Sequence, residues 1–134
     1  MARTPIHTPG ATAVGPYSHA IDDGRYVFCS GQTPIDPSTG KLREGGIGDQ
    51  TRQCLENLLA VLGAAGLGEQ DITKVNVFLT DMATFDEMNA VYASILQPPY
   101  PARTTIGVAA LPLGAEVEIE LIARRTPEQH SDRS

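Results

Sequence analysis

The sequence predicts an α+β fold, a single sheet of about six strands with two helices on one face, in the order β-β-α-β-α-β-β. Three observations predict it. Apolar residues recur at the spacing of one helical face across residues 49–65 and again from Phe85 to Ile95. Short runs with strand character occupy residues 17–21, 25–30, 74–81, 103–110 and 115–123. Gly and Pro punctuate the connections between them. Two helices cover one face of a sheet, and the other face carries apolar side chains such as Val108 and Val117 or their alternates. That face needs a partner, so a homo-oligomer with its sheets turned inward is expected.

In chain order, residues 1–16 carry Pro5, Pro9, Gly10, Gly15 and Pro16 and read as an extended arm. Asp22-Asp23-Gly24 is a turn between the first two strands, with Gly24 free to take a positive φ. Ser30-Gly31-Gln32 closes the second strand; a Gly there permits close backbone approach to a ligand, and by itself means only a turn. Pro34, Pro37, Gly40, Gly45, Gly46 and Gly48 keep the next stretch in loops. The first helix presents Cys54, Leu55, Leu58, Leu59, Val61, Leu62 and Ala65 and stops at Gly66. Burial contributes about 1.5 to 3 kcal/mol for each large aliphatic side chain, which is core, not chemistry.

Val75, Val77 and Leu79 alternate along the next strand. Thr84 and Glu87 have the spacing of a capping box at the start of the second helix, whose buried stripe is Phe85, Met88, Val91, Tyr92 and Ile95. Asn89 lies at the edge of that stripe and is placed to point into a cleft, although helical Asn is more often solvated. Gln97-Pro-Pro-Tyr-Pro101 ends the helix. Residues 126–134 form a polar, frayed tail.

The last two strands flank Leu111-Pro112-Leu113-Gly114 and read as a hairpin. A connection centred between Pro112 and Leu113 pairs 107 with 118 and 103 with 122. Arg103, Thr105 and Gly107 then share a face with Glu118 and Glu120, with open space beside Glu118 because Gly107 has no side chain. A slip of one residue reverses this, and on spacing alone a surface strand with solvated glutamates is the commoner arrangement. Glu116 and Glu120 are expected to be solvated or to bridge subunits. Arg124 and Arg125 are expected at a solvated strand end or an interface, and His19 as a surface imidazole.

Length and composition bound the rest. At 134 residues the chain is one domain, 1–134, able to bury about two-thirds of its unfolded surface. It is 41% hydrophobic with four Tyr, three Phe and no Trp, an aliphatic core and not a base-stacking platform. A net charge of -6 argues against a phosphate-backbone partner, so no nucleic acid is expected. No run suits a signal peptide or a membrane span, which points to the cytoplasm. Cys29 and Cys54 fall in apolar segments and read as reduced core thiols. His7, His19 and His130 have no metal-ligand spacing, so no metal site is expected.

The motifs Gly15-Pro-Tyr-Ser-His-Ala20, Ser30-Gly-Gln32, Gln53-Cys-Leu-Glu-Asn-Leu58, Asn89-Ala-Val-Tyr92 and Pro101-Ala-Arg-Thr-Thr105 through Val117-Glu-Ile-Glu120, in that order, closely resemble the Rid family (reactive intermediate deaminase, also called YjgF). The resemblance covers nearly all of residues 5–125. It implies a chorismate-mutase-like, YjgF-type fold in a homotrimer with clefts between subunits. It also implies hydrolysis of reactive 2-iminoacids, derived from 2-aminoacrylate or 2-aminocrotonate, to 2-oxoacids and ammonium without a cofactor. Carried over by position, Arg103 holds the substrate carboxylate and Glu118 orients and activates water. Tyr17 and Asn89 line the cleft, and Ser30 and Gly31 form the loop that approaches the ligand. Thr105, also placed at the substrate, stands where many members have cysteine; altered sensitivity to thiol reagents and little loss of hydrolysis are expected.

These residue types suit that chemistry. A guanidinium matches a carboxylate bidentately and fixes its orientation. An iminium carbon is already electrophilic, so a positioned water and a base suffice. Arg103 nearby would lower the glutamate pKa and desolvation would raise it, and the sequence leaves the winner open. A reading of another class also stays open, a non-catalytic small-carboxylate-binding or chaperone-like member using the same arginine. An endoribonuclease reading sits poorly with the acidic charge and the lack of a His pair.

Overall fold

The computed structural model of the chain describes residues 3–8 and 15–126. Residues 1, 2 and 9–14 of the expected arm and the tail from residue 127 onward, including His130, lie outside the described residues. The part of the arm that is described supplies a strand, β1 (Thr4–Ile6), followed by β2 (Ala20–Asp22) and β3 (Tyr26–Gln32) around the expected turn, where Gly24 has φ 97°. A short pair absent from the sequence reading, β4 (Ile35–Asp36) and β5 (Lys41–Leu42), stands apart from the main sheet within the Gly- and Pro-rich stretch. Then come α1 (Ile47–Ala64), β6 (Ile72–Leu79), α2 (Phe85–Ile95), β7 (Ala102–Gly107) and β8 (Val117–Arg124).

The six-stranded sheet has the order β1-β2-β3-β8-β6-β7. Only β6 and β7 are parallel; the other neighbouring pairs are antiparallel. Val27 and Cys29 of β3, Val75, Val77 and Leu79 of β6, and Val117, Ile119, Leu121 and Ala123 of β8 are buried in one cluster with Cys54, Leu55, Leu58, Val61 and Leu62 of α1 and Met88 and Tyr92 of α2. The period-two and helical patterns therefore meet in one core, as both spacings require. Val117 belongs to this covered face and not to the open one. The open face carries its alternates, with Ile21, Phe28, Phe78, Ile106 and Ile122 beside Glu118 and Glu120.

Three expectations are corrected. The last two strands do not form a hairpin: β7 runs parallel to β6 on one side, and β8 runs antiparallel to it on the other. Alternation reports which side chains share a face and says nothing about which strand is the neighbour. The connection contains a 3-10 turn at Pro112–Gly114, with Leu113 at φ 62°, and carries the chain across the end of β6. Thr84 and Glu87 do not make a capping box. Asp81 caps the 3-10 turn Met82–Thr84 that leads into α2, accepting from the Ala83 amide at 2.9 Å; the Thr84 hydroxyl donates to the Asp81 carbonyl at 2.6 Å, and Glu87 accepts from the Gly48 amide at 3.1 Å, joining α2 to the start of α1. Arg125 is neither solvated nor at an interface. It is buried, with Nη2 2.8 Å from Asp22 Oδ2 and 2.6 Å from the Ala65 carbonyl, fastening the β2 turn and the end of α1 to the strand end.

Candidate active site

The expected site residues fall into two groups on opposite faces of the sheet. Arg103 and Thr105 register with Val75 and Val77, so they face the helices. Glu118 registers with Phe78, so it faces the open side. Arg103 and Glu118 are two strand spacings and three residues apart, about 14 Å between backbones, and their side chains diverge. Within one subunit, the pairing expected from hairpin parity does not occur.

The first group gathers at the β7 edge beside α2. The Arg103 guanidinium carbon lies 4.7 Å from the Tyr92 ring centroid and 5.6 Å from that of Phe85, a cation over two aromatic faces. Asn89 is exposed and lies four residues after Phe85 and three before Tyr92, on the same side of α2. The Thr105 hydroxyl is buried and has no hydrogen-bond partner among the described residues. This end of the sheet offers a half-buried cation, an adjacent amide and an unengaged hydroxyl.

The second group lies over β3 and β8. Pairing of β3 with β8 shifts register between Cys29 and Gln32, a bulge at Ser30 and Gly31. A side chain on Gly31 would begin 2.7 Å from Glu118 Oε2, so the glycine provides the space that the carboxylate occupies. The sequence reading gave this role to Gly107, which instead faces Met82. The Ser30 hydroxyl donates to the Ser18 carbonyl at 2.6 Å, the Ser30 amide donates to the His19 carbonyl at 2.8 Å, and the Gln32 amide nitrogen lies 3.2 Å from His19 Nδ1. These bonds strap the segment carrying Tyr17 to the bulge. Tyr17 is 49% exposed and packs edge-on against the half-buried His19.

Burial, and then the neighbouring carboxylate of Glu120, push the Glu118 pKa above the ordinary glutamate value. Of the two opposing influences weighed from sequence, desolvation wins in the single chain. Glu120 itself accepts from Asn76 Nδ2 at 3.0 Å. Cys29 and Cys54 are free and buried, and burial raises both thiols, Cys29 to about 12. Phe85 and Tyr92, read from sequence only as a buried stripe, are the site-forming residues that reading missed; their three- and four-residue spacing to Asn89 was the available signal.

A mixed six-stranded sheet with two helices on one face and the other face open defines an α+β protein of the YjgF type. The family model described as Endoribonuclease L-PSP matches residues 7–125. The chain is 42% identical to the 2-iminobutanoate/2-iminopropanoate deaminase of Mus musculus over 120 residues, 90% of this chain and 89% of that protein. RidA from the Antarctic bacterium Psychrobacter sp. superposes with a TM-score of 0.87 at 46% identity, covering 92% of this chain and 100% of that one. E. coli TdcF with bound serine superposes with a TM-score of 0.86 at 41% identity, covering 92% and 99%. The chain belongs to the RidA/YjgF family, which includes 2-iminoacid deaminases.

Proposed function

We propose that the protein is an enamine/imine deaminase that hydrolyses 2-iminoacids to 2-oxoacids and ammonium, as a homotrimer in which each site lies between two subunits. The observation that carries this reading is the division of the site residues into two incomplete halves on opposite faces of one sheet. An arginine without a carboxylate among the described residues and a glutamate on the open face against Gly31 complete each other only when a second copy brings its β7 edge to the Glu118 face. The apolar open face supports such packing. Two free, buried thiols suit a reducing compartment, and we place the protein in the cytoplasm.

In the proposed reaction Arg103 binds the substrate carboxylate through its two-pronged donor face, setting the iminium carbon beside Glu118. Glu118 takes a proton from water as the water oxygen bonds to that carbon and the C=N π pair moves to nitrogen. The protonated carboxyl then returns the proton to the amine. Collapse of the hydroxyl to C=O expels ammonia, which leaves as ammonium with the hydroxyl proton. One water is consumed, and no oxidant or cofactor is required. The elevated Glu118 pKa suits a group that is base in one step and acid in the next.

The test couples purified protein to a threonine or serine dehydratase and follows ammonia release. Acceleration by wild type, lost in Arg103→Ala and Glu118→Ala, is expected; no acceleration at saturating protein sinks the reading. The serine in E. coli TdcF favours one alternative, a carboxylate-binding role without catalysis. That role predicts 2-oxoacid binding retained in Glu118→Ala and no effect of any variant on rate. The net charge of -6 gives a ribonuclease reading no support.

A further inference from the structure

We propose that Phe85 and Tyr92 are positioning residues for Arg103, an aromatic clamp on α2 that fixes the guanidinium before a carboxylate arrives and so sets affinity for acids. This rests on the reading of Arg103 as the carboxylate anchor. Arg103 sits on β7, at the edge of the sheet, where among the described residues no further strand walls its side chain. Among the described residues it forms no ion pair. Its guanidinium is held instead by ring faces, 4.7 Å from the Tyr92 centroid and 5.6 Å from the Phe85 centroid.

The two rings are seven residues apart on one side of α2 and are rooted differently. Tyr92 is 4% exposed and belongs to the main core, whereas Phe85 is half-buried and packs against that core. A core-buried ring and a half-buried one thus both face one cation. Ring faces carry negative quadrupole potential and leave the N–H edge of the guanidinium free for a ligand. A carboxylate in the same place would hold the arginine equally still but would occupy that edge. An unclamped arginine, with its many rotamers, would be ordered at each binding event instead of once at folding.

The Tyr92 hydroxyl separates this role from an ordinary hydrogen-bonding one. It is buried and has no partner among the described residues, and burial raises its pKa, so it stays a neutral phenol. The ring, and not the hydroxyl, acts on Arg103. Removing the oxygen is therefore predicted to leave affinity intact.

The experiment measures KM and kcat in the dehydratase-coupled assay, and the Kd for 2-oxobutanoate by calorimetry, for wild type, Tyr92→Phe, Tyr92→Leu and Phe85→Leu, with melting curves for each. Expected are wild-type values for Tyr92→Phe, and a rise of about tenfold in KM and Kd for the two leucine variants with kcat within about twofold. Melting temperatures that fall in the leucine variants while KM and Kd stay at wild-type values overturn the clamp and leave the deaminase reading standing. Oxobutanoate binding with no hydrolysis by wild type overturns the deaminase reading, while the Kd series still decides the clamp. No binding and no hydrolysis by wild type overturn both. Should Tyr92→Leu fail to fold, Phe85→Leu, altered at a half-buried position, carries the test alone.

Discussion

At the residue scale the arrangement is controlled by the contact between Gly31 and Glu118. The missing side chain at 31 leaves the volume that the Glu118 carboxylate fills, 2.7 Å from where a Cβ would stand. Gly31→Ala is expected to push the carboxylate off its position and lower kcat by about 10- to 100-fold, because small misplacements of a catalytic group are costly. KM should change little, since in the proposed cleft Arg103, and not Glu118, holds the substrate carboxylate; an unchanged kcat in the coupled assay would refute the placement. Glu118 also carries a pH signature. Its folded pKa lies above the ordinary value of 4.5, so the folded state holds the proton more tightly than the unfolded state. Its contribution to stability is full below 4.5 and is lost as pH rises through the folded value. Glu118→Gln should therefore melt above wild type at neutral pH, with the difference vanishing below 4.5.

At the element scale, what was legible and what was not divide along physical lines. The stripes of α1 and α2 and the alternation Val75, Val77, Leu79 were readable because burial on one face imposes a period; Leu55, Leu58, Leu62, Met88, Tyr92 and the three strand residues are buried, with Leu59, Phe85 and Ile95 half-buried against them. Strand partners were not readable. β7 and β8 flank β6 instead of each other, and nothing in the alternation of 103–107 distinguishes a parallel neighbour from an antiparallel one. Parity reasoning on the wrong partner then put Arg103 and Glu118 together and assigned to Gly107 the space that Gly31 provides. The start of α2 failed for a local reason: a 3-10 turn, Met82–Thr84, precedes it, Asp81 caps that turn through the Ala83 amide, and the Thr84 hydroxyl is spent as a donor to the Asp81 carbonyl. Asp81→Ala should lower unfolding free energy by about 1 kcal/mol, measured by urea denaturation. An Asp81→Ala protein as stable as wild type would show that this cap contributes nothing.

At the scale of the whole molecule, the separation of the two half-sites determines how defects combine. Arg103 lies on the helix-facing side at the β7 edge, and Glu118 lies on the open side over β8, about 14 Å away through the sheet. A substrate with an acid group and an imine on adjacent carbons is far too short to reach both in one chain. If both groups act on one substrate, as proposed, two copies are needed, and the open face has apolar surface to join them, with Phe28 and Ile106 42% and 45% exposed in the single chain. Arg103→Ala and Glu118→Ala should then complement each other. Each variant alone gives clefts that are all defective, but in trimers formed at random from equal amounts of both, about one cleft in four combines an intact Arg103 from one subunit with an intact Glu118 from its neighbour. Joint refolding should restore about a quarter of wild-type activity, whereas simple mixing without subunit exchange should restore none. If both residues served the same cleft from the same subunit, every mixed cleft would lack one of them, and activity would stay at the level of the single variants. Phe28→Glu provides the control: a charge on the packing face should yield folded monomers by light scattering and remove activity without altering either half-site.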